Sequence, residues 1–186
     1  MNDTPYAECV VTILPDTSVT VNGTGTWTLT FTAGENGLEP GSTLRIDIPH
    51  GFTPPQIDNP HAPGYVQITS KTTQAEFAIA VGRPPGDGPS ILTTDTGLFL
   101  IVERAPVQNG EHFCLSYGTE TSPVFISALA GSAPFQIWIC ANPLATENRF
   151  LPLRSWPVLD VVAGDLKQLE VIAPSGVQPG TPLEIR

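Results

Sequence analysis

One short stretch, HGFTPPQIDNPHAPGYV (residues 50–66), gathers His50, Gln56, Asp58, His61 and Tyr65. Imidazoles beside a carboxylate are the groups that proton transfer and metal ligation use. An enzyme built here would need His50, Gln56, Asp58 and His61 to converge on one pocket. The same stretch carries prolines at 54, 55, 60 and 63, which fix φ and remove backbone donors. Read structurally, it is a stiff crossing between two sheets, with Tyr65 anchoring the returning strand. A loop of about fifteen residues is uncommon and often functional, so both readings stand at this point.

The rest of the chain offers little chemistry. His112 lies two residues from Cys114, so on a strand both face one side. Their Cα atoms would then be about 6–7 Å apart, loose for a nucleophile and its base. There is no H-x-H, H-E-x-x-H, G-x-S-x-G or phosphate-binding glycine loop, so no catalytic residue, metal site or cofactor is expected. PGDG (85–88) has the shape of a turn and lacks the later acidic ligands of a calcium loop. The Asn2 and Asn22 sequons matter only in a eukaryotic secretory setting. A carbohydrate or cell-surface ligand would be met by exposed flat rings, and the aromatic candidates are Phe52, Tyr65, Trp138 and Trp156. Trp27 falls in core phase, whereas Trp138 is out of phase with Phe135, Ile137 and Ile139 and points outward.

These residues must be carried by strands. In GTWTLTFTAG (25–34), Trp27, Leu29 and Phe31 alternate with threonines, the pattern of a half-buried antiparallel strand. TLRIDIP (43–49) puts Leu44, Ile46 and Ile48 inward, Arg45 and Asp47 outward, and stops at Pro49. CVVTILP (9–15), YVQITS (65–70), AEFAIAVG (75–82), NGEHFCLSYG (109–118), SPVFISALAG (122–131) and APFQIWICAN (133–142) read as further strands, with Phe77, Ile79 and Val81 on one face. GLFLIVERAP (97–106) is apolar throughout its centre and suits a strand buried on both faces. NRFLPLRSWPVLDVVAG (148–164) gives a short strand, a break at Pro157 and another strand. About ten strands with turn signals between them, and no helical periodicity, predict an all-β fold. The expected architecture is an antiparallel β-sandwich of Ig-like, Greek-key type over residues 1–164.

Composition agrees. The 186 residues are 40% hydrophobic and only 14% charged, with 20 prolines and 17 glycines, enough apolar content for one large core. The net charge is −10, and without a basic stripe neither nucleic acid nor anionic lipid is an expected partner. No apolar run approaches the roughly 18 residues of a membrane helix. Cys9, Cys114 and Cys140 are widely spaced; three free, mostly buried thiols are expected, one bridge with a leftover thiol being the alternative. The start MNDTPYAECVVTIL lacks the form of a signal peptide, which favours the cytoplasm as written, and a secreted or periplasmic location if the start is trimmed. GDLKQLEVIAPSGVQPGTPLEIR (164–186) ends inside a strand-like stretch. Residues 165–186 are therefore expected as a linker and the truncated beginning of a second Ig-like module, or else as a final hairpin of the same sandwich.

Three stretches carry a resemblance: GTWTLTFTAGENGLEPGSTLRIDIPHG, PPQIDNPHAPGYV and FLPLRSWPVLDVVAGDLKQLEVIAPSGVQPG. Together they resemble the N-terminal β-sandwich region of a mostly bacterial family of unknown function. In that family a C-terminal domain resembles PHP-type metal-dependent phosphoesterases. The resemblance implies that metal-binding residues lie downstream and that none of them maps onto this sequence. It implies a non-catalytic accessory module whose partner is the downstream domain of the same polypeptide, or a further copy in a homo-oligomer.

Overall fold

A computed structural model describes residues 9–82, 97–140 and 150–165. In chain order its strands are β1 (Val10–Leu14), β2 (Val19–Thr20), β3 (Thr24–Gly25), β4 (Trp27–Thr32), β5 (Thr43–Asp47), β6 (Val66–Lys71), β7 (Glu76–Val81), β8 (Gly97–Arg104), β9 (His112–Tyr117), β10 (Val124–Phe125), β11 (Gly131–Pro134), β12 (Gln136–Cys140), β13 (Leu151–Pro152) and β14 (Val158–Val162). No helix occurs among the described residues.

Alternation in sequence becomes alternation in burial. Trp27, Leu29 and Phe31 of β4 are buried while Thr28, Thr30 and Thr32 are half-exposed. β4 pairs antiparallel with β9 in a register that sets Leu29 beside Leu115 and Phe31 beside Phe113. The Phe31 and Phe113 rings stack with centroids 5.0 Å apart. β1 and β6 complete a four-stranded sheet ordered β1-β4-β9-β6.

The second sheet is ordered β13-β12-β5-β8-β7. Its inward row joins Ile139 to Leu44, Leu44 to Leu100 and Leu100 to Ile79. β8 lies between two partners, and Leu98, Phe99 and Leu100 are all buried, as its unbroken apolar centre predicts. Residues of both sheets form one apolar core, and Phe77 of β7 meets Phe113 of β9 at 4.5 Å between ring centroids. Full burial of each such side chain contributes about 1.5–3 kcal/mol. The fold is an all-β sandwich.

Two smaller sheets accompany them, ordered β11-β14-β2 and β10-β3. β14 and β2 run parallel, a departure from the all-antiparallel expectation. The stretches 122–131 and 133–142 are not two whole strands. In the first, only Val124–Phe125 and the terminal Gly131, which opens β11, are in strands, and Phe135 separates β11 from β12, which belong to different sheets. Phe135 is itself fully buried, so the chain switches sheets at an apolar pivot. The tail from 166, PGDG and the Asn2 sequon lie outside the described residues.

Candidate functional site

Pro49 ends β5, and the chain enters the crossing with Gly51 at φ 85°. A Cβ at Gly51 would stand 2.6 Å from the Ala128 Cα, so glycine is required both for its conformation and for close backbone approach. Phe52 then turns inward. It is 4% exposed, with its ring 5.6 Å from Trp27 and 5.9 Å from Phe135. Phe52 belongs to the core and presents no ring to a ligand.

Thr53 clasps the neighbouring strand. Its N–H donates to the Phe125 carbonyl at 3.0 Å, and its Oγ1 accepts from the Phe125 N–H at 2.9 Å. The Tyr117 hydroxyl, at the end of β9, donates to the Thr53 carbonyl. Burial pushes that phenol far above its ordinary pKa, so Tyr117 acts as a neutral donor.

Gln56 organises the tip. Its Oε1 accepts from the Asp58 and Asn59 N–H groups, both at 2.9 Å. Its Nε2 donates to the Asn59 carbonyl at 2.8 Å and the Ala62 carbonyl at 3.1 Å. The backbone of Gln56 donates to the Gly64 carbonyl and accepts from Val66, each at 2.9 Å. The His61 N–H is taken by Asn59 Oδ1 at 2.9 Å, and the His61 carbonyl by the Ser122 hydroxyl. Gly64 closes the turn at φ 80°, where a Cβ would lie 2.2 Å from the Pro54 carbonyl oxygen.

A side chain that makes four bonds to its own loop is committed to shape. The imidazoles of His50 and His61 and the carboxylate of Asp58 are left outward on exposed residues. His50 lines a cleft of about 410 Å³ with Asp47, Leu129, Ser132 and Gln136. Gln56, Asp58 and His61 do not line it. The crossing therefore brings His50 to one cleft and sends the other three candidates to its tip. Asp47 in the cleft is held by Arg45 Nε at 2.8 Å. Among the described residues no cluster of three or more His, Cys, Asp or Glu side chains could hold a metal ion. Asp47, Ser132 and Gln136 were not singled out by sequence. Their only signal is outward phase on β5, β11 and β12, which they share with many surface residues.

The other aromatic candidates are dispersed. Trp138 points outward from β12 between Arg45 on β5 and Pro152 on β13. It is half-buried, and its indole N–H is buried without a hydrogen-bond partner. Trp156 packs half-buried against the core. Tyr65 is half-buried at the start of β6, in the other sheet, bridged to Gln56. His112 and Cys114 share the outer face of β9, but each has its own contact. His112 Nδ1 lies 3.4 Å from Thr72 Oγ1, and Cys114 Sγ lies 3.4 Å from Thr30 Oγ1. The three thiols are free.

No family model matches the chain, and no curated protein does. Among solved structures it is similar to a non-cellulosomal cohesin from the hyperthermophilic archaeon Archaeoglobus fulgidus. The two are 12% identical, with 82% of this chain and 91% of that chain covered and a TM-score of 0.41.

Proposed function

We propose that this chain is a non-catalytic β-sandwich module that packs against and orients another domain of the same polypeptide. The observation that carries the reading is Gln56. The polar residue most central to the candidate site spends both ends of its amide on backbone groups of residues 58–62. Such a loop is preorganised, and a preorganised loop gives up little entropy when it docks. What it offers outward is a stiff rim of Ile57, Asp58, Asn59, Pro60 and His61, all exposed. The resemblance of the crossing to a family with a downstream phosphoesterase-like domain supports the same reading.

Hydrogen–deuterium exchange tests it, comparing this chain alone with the full-length polypeptide of its reading frame. Slower exchange across residues 57–62 in the longer protein is expected; unchanged exchange there would overturn the docking role. Turnover of p-nitrophenyl phosphate by residues 1–186, abolished by His50→Ala or His61→Ala, would overturn the non-catalytic reading.

A further inference from the structure

A sheet edge presents unpaired N–H and C=O groups, and natural sheets protect such edges with charge, proline, bulges or brevity. Among the described residues, every sheet edge but one is protected. β6 carries Lys71 and a register shift between Ile68 and Ser70. β7 carries Glu76, paired with Arg104 at 3.3 Å, and a shift between Glu76 and Phe77. β13 is two residues long and includes Pro152, and β11 ends in Pro134. β2, β3 and β10 are two residues each.

β1 has none of these devices. Its sequence, VVTIL, contains no charge, proline or glycine. Its register with β4 runs unbroken from Val10–Thr32 to Leu14–Thr28. Among the described residues, nothing pairs with its other side. Its outward row is Val10, Thr12 and Leu14, all open to solvent, with the apolar Val10 at 58% and Leu14 at 62% exposure.

We propose that β1 pairs antiparallel with β1 of a second copy of this chain, joining two four-stranded sheets into one continuous sheet. Two features select a second copy as the occupant. The strand is self-complementary about Thr12: antiparallel pairing sets Thr12 against Thr12, Val11 against Ile13 and Val10 against Leu14. Val11 and Ile13, which pack on the core, then continue the inner face, and Val10 and Leu14 cover one another outside. The second feature is charge. A chain of net charge −10 repels its own copies over most of its surface, but β1 and the adjoining outer row of β4, Thr28, Thr30 and Thr32, carry no charge; the acids that flank β1 in sequence, Glu8 and Asp16, bring like charge to both ends of the pair and weaken it. The contact is small: five residues span about 17 Å, and such a pair buries less than the ~1,200 Å² of a standard interface. Interfaces of that size are characteristic of weak, transient association.

Sedimentation equilibrium of the full chain from about 1 µM to about 1 mM decides the matter. A concentration-dependent rise from 19.8 kDa towards twice that mass is expected. Thr12→Lys, which sets two ammonium groups against each other across the dyad, is expected to weaken association at least tenfold. Thr69→Lys, on the far edge strand, leaves it unchanged. Melting curves matching the wild type show that both variants fold. Thr12→Cys in a Cys9→Ser, Cys114→Ser background is expected to form a disulfide-linked dimer, since paired Cα atoms about 4.5–5.5 Å apart lie within disulfide reach. A wild-type chain that is monomeric throughout the range would overturn the proposal, whether or not it accepts a strand from another protein. So would a dimer that Thr12→Lys leaves intact or that Thr12→Cys fails to cross-link. None of these outcomes depends on whether the 57–62 rim docks a neighbouring domain.

Discussion

The crossing at 49–64 forms no strand, yet its backbone is held by its own Gln56 and Asn59 and by Tyr117, Ser122 and Phe125; β1 is a regular strand with one side of its backbone unpaired among the described residues. The crossing is rich in proline and polar residues, and β1 has neither a proline nor a charge. Residue types alone mark the first, stiff as its prolines make it, as the place for chemistry and the second as settled structure. The structure reverses that ranking. Gln56 and Asn59 in the crossing are consumed in bracing it, while the apolar strand, among the described residues, keeps unpaired backbone groups on one side. A surface suited to partners is thus better sought in unsatisfied backbone than in a concentration of chemistry-bearing side chains.

The largest way to break that comparison is to remove the anchor of the crossing. Phe52→Ala deletes a ring packed between Trp27 and Phe135, and truncations of this kind cost about 3–5 kcal/mol. Urea unfolding should show that loss. A cost below about 1 kcal/mol would mean that the crossing is only laid against the core.

Next comes the brace itself. Gln56→Ala removes four side-chain hydrogen bonds, and water can reach the exposed residues among the partners. A loss of about 1–3 kcal/mol follows from net hydrogen-bond energies of about 0.5–1.5 kcal/mol each, discounted for rehydration. Faster amide exchange at Asp58 and Asn59 should accompany it. Gln56→Glu is a sharper probe, since it keeps the acceptor but loses both donations to the Asn59 and Ala62 carbonyls; it should restore slow exchange at Asp58 and Asn59 only.

Most of the sandwich was legible because two-residue alternation has one physical cause, a sheet wet on one face and dry on the other. It located β4, β5, β7, β9 and β12 and placed Trp138 outward. β8 was legible from its unbroken apolar centre. The parallel pairing of β2 with β14 was not, because a two-residue strand carries no period and its partner is remote in sequence. Nor was the sheet switch at Phe135, where the apolar pattern runs on without a break. At the candidate site, residue types named the segment, but types cannot tell a side chain aimed at a ligand from one aimed at its own loop. For Gln56 the available hint was the density of prolines. A stretch so short of backbone donors leaves carbonyls for a side-chain amide to meet.

Smaller in effect is the thiol at the head of β1. Burial pushes Cys9 up to about 11 from an ordinary value of 9.0. Its folded pKa exceeds its unfolded one, so the neutral thiol's contribution is fully present below pH 9 and is lost as pH rises towards 11. Comparing the wild type with Cys9→Ser cancels the similar behaviour of Tyr117 above its own unfolded pKa. The stability difference should narrow by about 1 kcal/mol between pH 8.5 and 10.5. A difference independent of pH would mean that Cys9 is as open as Val10 and Leu14 on the outer row.

The smallest expected effect is the most discriminating for β1. Leu14→Thr replaces an outward, exposed side chain beside Thr28. In a dilute monomer no described residue buries that position, 62% exposed, so stability should change by less than about 0.5 kcal/mol, the range of ordinary surface substitutions. Threonine also suits a strand at least as well as leucine. The same variant measured at high protein concentration should lose stability relative to the wild type, because pairing of copies stabilises the folded state by mass action and Leu14 would then be covered by Val10 of its partner. A concentration-dependent cost at Leu14, with none at the exposed Thr69 of β6, separates an edge that is used from one that is not. A cost already present at high dilution would place cover over β1 within the single chain and erase its contrast with the crossing.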